Sequence, residues 1–298
     1  MSKRQKLDHG EGPSNPRDTE GLCLLSLDGG GVRGLSTLYV LKHIMNRLNA
    51  ARKEKGLESG RPCEVFDVIG GTSTGGLIAI MLGRLEMDVD ECIQAYTNMM
   101  KGIFERSEPA KTATFSNVSP SIVEAALATS AATSYFETAT IGNRKFVDGG
   151  LAVNNPAEEV EWEARDIWCT ESGLSDIKEL VSCFVSIGTG VPSPMCIEES
   201  LQLFATSTMP NLISETERTE KKIVARWHHE LDNGRFFRFN VDQGLQNVGL
   251  ADYQQEGRID ASTTTYLNHQ MQLSRVRDCV KRLVLKQSVF TNEQEDFS

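Results

Sequence analysis

Twice within residues 22–85 the chain repeats one arrangement: a short apolar run, a glycine-rich turn, then a segment with apolar residues at three- and four-residue spacing. The first run, L-C-L-L-S-L (22–27), leads into D-G-G-G-V-R-G. Leu35, Leu38, Leu41, Ile44, Met45 and Leu48 then recur with helical period, until the charged stretch A-A-R-K-E-K reaches Gly56, which can end the helix. The second run, V-F-D-V-I-G (65–70), leads into G-T-S-T-G-G, and L-I-A-I-M-L-G-R-L (77–85) reads as the next helix. Short apolar runs without alternation suit strands covered on both faces. Strands alternating with helices predict an α/β fold with a largely parallel sheet. Ligands of such sheets bind beyond the carboxyl ends of the strands, which is where both glycine turns fall.

The rest of the chain extends this pattern. Asp88 followed by Glu91 forms a capping-box pattern ahead of a helix whose buried face is read as Ile93, Tyr96, Thr97, Met100 and Ile103. Residues 107–120 are polar, hold two prolines and read as a loop before a helix from Ser121 to about Thr129. A turn at Gly142-Asn143 leads into a strand ending at Asp148, and Asn154 or Asn155 caps a helix with Pro156 in its first turn. L-V-S-C-F-V-S-I-G (180–188) is a further strand. Beyond it come a helix around 214–230, a short strand F-F-R-F-N-V (236–241) and a charged helix from about 257 to 287. The expected organisation is a disordered polar arm over 1–20, an α/β core over 21–190, and a mostly helical extension over 191–298 that packs on the core.

Composition excludes several functions. With 31 Lys plus Arg against 41 Asp plus Glu, the net charge of −10 argues against nucleic acid as a partner and against broad attraction to anionic membrane. Any lipid contact is expected to be local or apolar, and peripheral. The stretch from Val65 to Leu82 is interrupted by Asp67, by several glycines and by Thr72, Ser73 and Thr74, so it does not read as a membrane span. Seven scattered cysteines, none spaced C-x-x-C, suit reduced thiols in a cytoplasmic protein, with neither a disulfide framework nor a metal site. No signal peptide is read at the start of the sequence.

Gly71-Thr72-Ser73-Thr74-Gly75 is a G-x-S-x-G motif between a strand and a helix, the setting in which a strained turn lifts a serine hydroxyl clear of the sheet. A phosphate-binding loop would need a lysine, but Gly75 and Gly76 are followed by Leu77. A serine nucleophile needs a base. Asp148, in D-G-G with Gly149 and Gly150, would stand on the same rim of the sheet as Ser73. His228, His229 and His269 also lie downstream, in the chain order of a Ser-Asp-His triad, although their helical settings suit solvated side chains. The glycines at 29, 31 and 34 fit a dinucleotide-binding spacing as well. That reading expects an acidic residue about 20 positions on, and Glu54 and Glu58 fall in a polar stretch instead of at a strand end. Backbone N–H groups of Gly29, Gly30 and Gly31 would serve a transient oxyanion better, with Arg33 adding charge or anchoring the loop.

D-G-G-G-V-R-G, G-T-S-T-G-G and D-G-G, in that order, together with A-T-S-A-A-T-S-Y-F (128–136) and D-G-G-L-A-V-N-N-P (148–156), closely resemble the patatin-like phospholipase family over about residues 21–190. The resemblance implies a three-layer α/β/α sandwich and a lipid acyl hydrolase that cleaves phospholipid or related acyl-lipid substrates. It implies a Ser-Asp dyad without histidine or cofactor: Ser73 as nucleophile, Asp148 as base, and Gly29, Gly30, Gly31 and Arg33 at the oxyanion loop. Gly71 and Gly75 would then flank the nucleophile. The chain departs from the family in one respect. Only 75 positions separate Ser73 from Asp148, where the family pattern holds several dozen more residues, including a core strand. A shortened sheet is therefore expected, and with it an alternative in which the chain is an inactive lipid-binding or regulatory variant.

Overall fold

A computed structural model describes residues 21–104, 114–115, 121–132, 137–151, 153–172, 176–191 and 208–286. The expected arm over 1–20 lies outside the described residues, as does most of the polar stretch 107–120.

Strand β1 (Leu22–Leu27) leads through the glycine turn into helix α1 (Gly34–Glu54). Every apolar position that set the period of α1, from Leu35 to Leu48, is buried. The second unit starts later than its apolar run suggests: Pro62–Val65 form a short helix α2, and strand β2 spans Val68–Gly71. Pro62 favours this helical turn because its ring fixes φ and the first N–H of a helix needs no partner. Helix α3 (Thr74–Ala79) follows and passes into a π-type turn over Ile80–Arg84. In helix α4 (Val89–Phe104) the expected capping box is formed, Asp88 and Glu91 each accepting the other's backbone N–H. Its buried face runs through Val89, Cys92, Tyr96 and Met100.

A two-residue strand β3 (Thr114–Phe115) precedes helix α5 (Ile122–Thr129), which Ser121 and Glu124 cap reciprocally. Strands β4 (Ala139–Ile141) and β5 (Arg144–Phe146) form a hairpin across Gly142, and β5 stops two residues short of Asp148. Helix α6 (Ala157–Ser172) starts with the Asn155 side chain accepting the Ala157 N–H. Then come strand β6 (Val181–Ile187), helix α7 (Thr208–Arg226), a short helix α8 (His228–Asp232) and strand β7 (Phe236–Phe239). The expected single helix over 257–287 is two, α9 (Glu256–Asn268) and α10 (Gln270–Leu283), broken where His269 takes an extended ψ of 135°. The break lets Tyr266 and Leu267 on one helix, and Val276, Cys279 and Leu283 on the other, reach the same core.

The central sheet has the order β2-β1-β6-β7, and every pairing in it is parallel. The region beyond residue 190, expected to pack on the core, supplies β7 to the sheet itself. Successive residues of each strand face opposite sides. Cys23, Leu25, Leu27, Cys183, Val185, Ile187, Phe237 and Phe239 face a core shared with α1, α4, α9 and α10. Leu24, Phe184 and Phe236 face a smaller core with α6 and α7, where Trp227 and Phe184 meet edge to face at 5.2 Å between ring centres. The result is an α/β/α arrangement in three layers. Strands β3, β4 and β5 form a separate small sheet, so among the described residues β2 has β1 as its one strand partner in the central sheet.

The end of the sheet away from the glycine turns is closed by a buried ion pair. Lys286 Nζ lies 3.0 Å from Asp67, and both side chains are 5% exposed. Asp67 also accepts the Cys23 N–H, and Lys286 donates to the Gly21 carbonyl. Removing one partner of such a pair leaves an uncompensated buried charge. Lys286→Met is expected to destabilise the fold by about 3–5 kcal/mol. Adding Asp67→Asn to it is expected to restore most of the loss, as read from denaturant midpoints at unchanged slope.

Candidate functional site

At the carboxyl end of β2 the chain turns sharply at Ser73, whose φ of 54° and ψ of −125° put a non-glycine residue in the left-handed half of conformational space. The turn is tight because Gly75 lies against the carbonyls of Leu27 and Asp28 at the end of β1, where any Cβ would collide with backbone. Gly71 closes the strand before the turn. Ser73 thus stands at the start of α3, with its hydroxyl free of the sheet.

That hydroxyl donates to Asp148 Oδ2 at 2.6 Å. The second carboxylate oxygen, Oδ1, accepts the Gly150 N–H at 2.7 Å. Asp148 is 6% exposed, and its own N–H is bonded to the Ala131 carbonyl. Burial pushes its carboxyl above the ordinary aspartate range, opposed by the hydrogen bonds from Ser73 and Gly150. Gly149 opens the single helical turn that follows Asp148, and its carbonyl accepts the Val153 N–H.

The glycine loop after β1 lies beside this pair. Gly31 has φ of +56° and packs against Leu250, two reasons for glycine there. The three expected oxyanion donors are not equivalent. The Gly29 N–H is already bonded to the Asn154 carbonyl at 3.0 Å, the Gly30 N–H meets Thr74 Oγ1 at 3.3 Å, and the Gly31 N–H makes no hydrogen bond within the described residues. The Gly29 carbonyl is held from two sides, by Asn154 Nδ2 at 3.2 Å and Thr189 Oγ1 at 2.9 Å. Tyr96 of α4 donates its hydroxyl to the Gly31 carbonyl. Arg33 is half-buried, its Nε reaching back to the Gly30 carbonyl at 3.5 Å, and burial lowers its pKa.

Immediately before the loop, Asp28 is held by Arg238 of β7 through two hydrogen bonds, Nη1 to Oδ1 at 2.9 Å and Nη2 to Oδ2 at 2.6 Å. Asn154, Thr189, Tyr96 and Arg238 carry no local motif that would assign them to this site. Their local settings read only as structure: Asn154 as a helix cap, Tyr96 as part of a buried helix face, and Arg238 as part of a short strand. The three histidines are elsewhere: His228 and His229 are exposed and stacked on each other, and His269 is exposed at the α9/α10 break. Among the described residues no group of three His, Cys, Asp or Glu side chains could hold a metal ion.

Fold and site together define an α/β protein with a serine on a strand-to-helix elbow, bonded to a buried carboxylate beside a glycine loop. Residues 25–119, about a third of the chain, match the family model described as patatin-like phospholipase. It is similar to phospholipase A I of Arabidopsis thaliana, 45% identical over 91 residues that cover 30% of this chain and 6% of that protein. It is also similar to the human calcium-independent phospholipase A2-gamma, 24% identical over 315 residues covering 81% of this chain and 37% of that protein. Patatin of Solanum tuberosum is 40% identical over 63 residues, 21% of this chain and 16% of the patatin. The chain therefore spans little more than a third of the relatives it matches along most of its own length.

Two substitutions at the elbow separate strain from chemistry. Ser73→Ala and Ser73→Gly both remove the hydroxyl that meets Asp148, but only glycine adopts a positive φ without steric cost. Ser73→Gly is expected to be more stable than Ser73→Ala by about 1 kcal/mol, measured as the difference in denaturant unfolding free energy.

Proposed function

We propose that the protein hydrolyses ester-linked acyl chains of phospholipids or related glycerolipids through a Ser73-Asp148 dyad. The observation that carries this reading is the 2.6 Å hydrogen bond from Ser73 Oγ to Asp148 Oδ2 at a strained elbow. In the first half-reaction Ser73 Oγ attacks the ester carbonyl carbon as its proton passes to Asp148 Oδ2. The oxyanion is accepted by backbone N–H groups of Gly30, Gly31 and Thr74, with the charge of Arg33 close by. Collapse breaks the ester C–O bond, and the departing alcohol takes the proton from Asp148. Water then attacks the acyl-serine, Asp148 receives its proton and returns one to Ser73, and the fatty acid leaves. The raised pKa of Asp148 serves this scheme, because an ordinary aspartate is a weak base.

The names of the relatives support a lipid substrate. Exposed apolar side chains near the dyad support a peripheral approach to it. Helix α5 ends at Thr129, whose hydroxyl donates to the Ser73 carbonyl, and it exposes Ile122, Val123 and Leu127. Val147, next to Asp148, is also exposed. No helix among the described residues is long and apolar enough to cross a membrane. A second reading, an inactive lipid-binding variant, is favoured by one observation: β2, which carries Ser73, has a single described strand partner in the central sheet.

A fluorophosphonate probe decides between the two. The active reading expects labelling that Ser73→Ala abolishes, and the inactive reading expects none. Asp148→Asn is expected to lower turnover of a soluble ester by at least about 100-fold without lowering the melting temperature, since it removes a buried charge. The two pH dependences run in opposite directions. Activity requires ionised Asp148, so it is lost as pH falls through a value above the ordinary aspartate pKa. A raised folded-state pKa contributes stability that is fully present below the unfolded value and lost as pH rises through the folded one. A pH-activity profile and pH-dependent melting, compared with those of Asp148→Asn, check both signs.

Val123→Asp and Leu127→Asp together are expected to cut hydrolysis of phosphatidylcholine vesicles several-fold while leaving turnover of a soluble p-nitrophenyl ester within about twofold. Equal loss on both substrates would remove the lipid-facing role of α5.

A further inference from the structure

The Arg238 guanidinium is wholly internal, yet every one of its nitrogens is used. Nη1 and Nη2 take the two oxygens of Asp28, Nη1 also donates to Ser186 Oγ at 2.9 Å, and Nε donates to Glu220 at 3.1 Å. Side-chain exposure is 5% for Arg238 and 1% for Asp28. Burial works against the guanidinium charge, and the carboxylates of Asp28 and Glu220 overcome it and raise its pKa.

Strand register puts the group there. Arg238 pairs with Ser186, and Ser186 with Ser26, in one row across the sheet on the face that carries Phe236, Phe184 and Leu24. The small side chains at 26 and 186 leave room for the guanidinium to reach Asp28 past the end of β1. A one-residue slip of β7 would send Arg238 to the opposite face. Helix α7 reinforces the arrangement from above. Thr216 and Glu220 are four residues apart on the inward face that also holds Ile223 and Trp227. Thr216 accepts from Asn154 Nδ2, which also holds the Gly29 carbonyl, while Glu220 accepts from Arg238.

Building on the proposed Ser73 chemistry, we infer that Arg238 is a positioning residue for the oxyanion loop: it fixes Asp28, and through Asp28 the backbone direction of Gly29, Gly30 and Gly31 opposite Ser73. A planar, bidentate fork suits this task, because it holds both carboxylate oxygens and so their orientation, which a lysine ammonium cannot do. Oxyanion stabilisation depends on donors being in place before the charge develops, so a loosened loop lowers kcat without weakening substrate binding.

The test is the full chain carrying Arg238→Lys, assayed on a soluble p-nitrophenyl ester at a temperature where its melting curve shows it fully folded. The expected result is a fall in kcat of about tenfold or more with KM within about twofold, and an acid limb of the pH profile unchanged because Asp148 is untouched. A folded Arg238→Lys with wild-type kcat overturns the inference and leaves the dyad standing. Should this variant fail to fold, Asp28→Asn serves in its place, since it keeps the side-chain shape, breaks the bidentate carboxylate pair and leaves Glu220 as the charge partner of Arg238. A several-fold loss of kcat at constant KM supports the inference, and unchanged kcat overturns it. Absence of Ser73-dependent turnover in the unsubstituted chain overturns the proposed function and the inference together.

Discussion

The ion pair between Asp28 and Arg238 joins an early and a late segment of the chain at the point where the glycine loop begins. Asp28 directly follows β1, in the middle of the sheet, and Arg238 sits on β7, an edge strand that enters late in the sequence. A buried pair of this kind adds little net stability, because desolvating the two charges offsets their attraction. Its effect is on geometry. Two carboxylate oxygens, one guanidinium and the Ser186 hydroxyl meet in a single arrangement, and that arrangement requires the observed register of β7 on β6 and of β6 on β1. The sheet is thereby set with the loop after β1 and the elbow after β2 side by side.

The elbow carries its own conflict between stability and use. Ser73 occupies backbone space that disfavours any side chain, and Asp148 is kept from water at a cost to its ionised form. Neither feature helps the chain fold. The surrounding contacts hold both: Gly75 is pressed against the end of β1, Gly150 bonds Asp148, and Thr72 Oγ1 donates to the Val153 carbonyl across the two segments. Strain and burial therefore fall on the two residues joined by the 2.6 Å hydrogen bond, while the neighbouring loop is fixed by bonds from Asn154, Thr189 and Tyr96.

Local periodicity made the strand-turn-helix units legible in the sequence, because the faces of α1 and the apolar runs of β1 and β6 are short-range patterns. The same reasoning started the second strand at Val65, since an apolar run does not show that Pro62 begins a helical turn. It also joined α9 to α10, since a change in backbone direction at His269 leaves the helical spacing almost intact. Ser73 and Asp148 stood out through their glycine neighbours. Arg238 did not: it lies in a phenylalanine-rich strand 210 positions from Asp28, and charge pairing across that distance leaves no mark on either segment.

The family match ends at residue 119, and apart from Tyr96 the side chains that organise its glycine loop come afterwards: Asn154 from the segment after Asp148, Thr189 from the end of β6, Glu220 from α7 and Arg238 from β7. The matched segment holds the second half of β1, all of β2 and the elbow, but it contains neither Asp148 nor the second partner of β1. Parallel strands are paired only through long crossovers, so β1 gains β6 and the loop gains Arg238 only once the later chain has docked. The shortened distance between Ser73 and Asp148 makes this dependence sharper. With β2 supported in the central sheet by β1 alone among the described residues, the opposite side of the sheet must supply the rigidity. That side is β6 and β7, where the chain places its buried guanidinium.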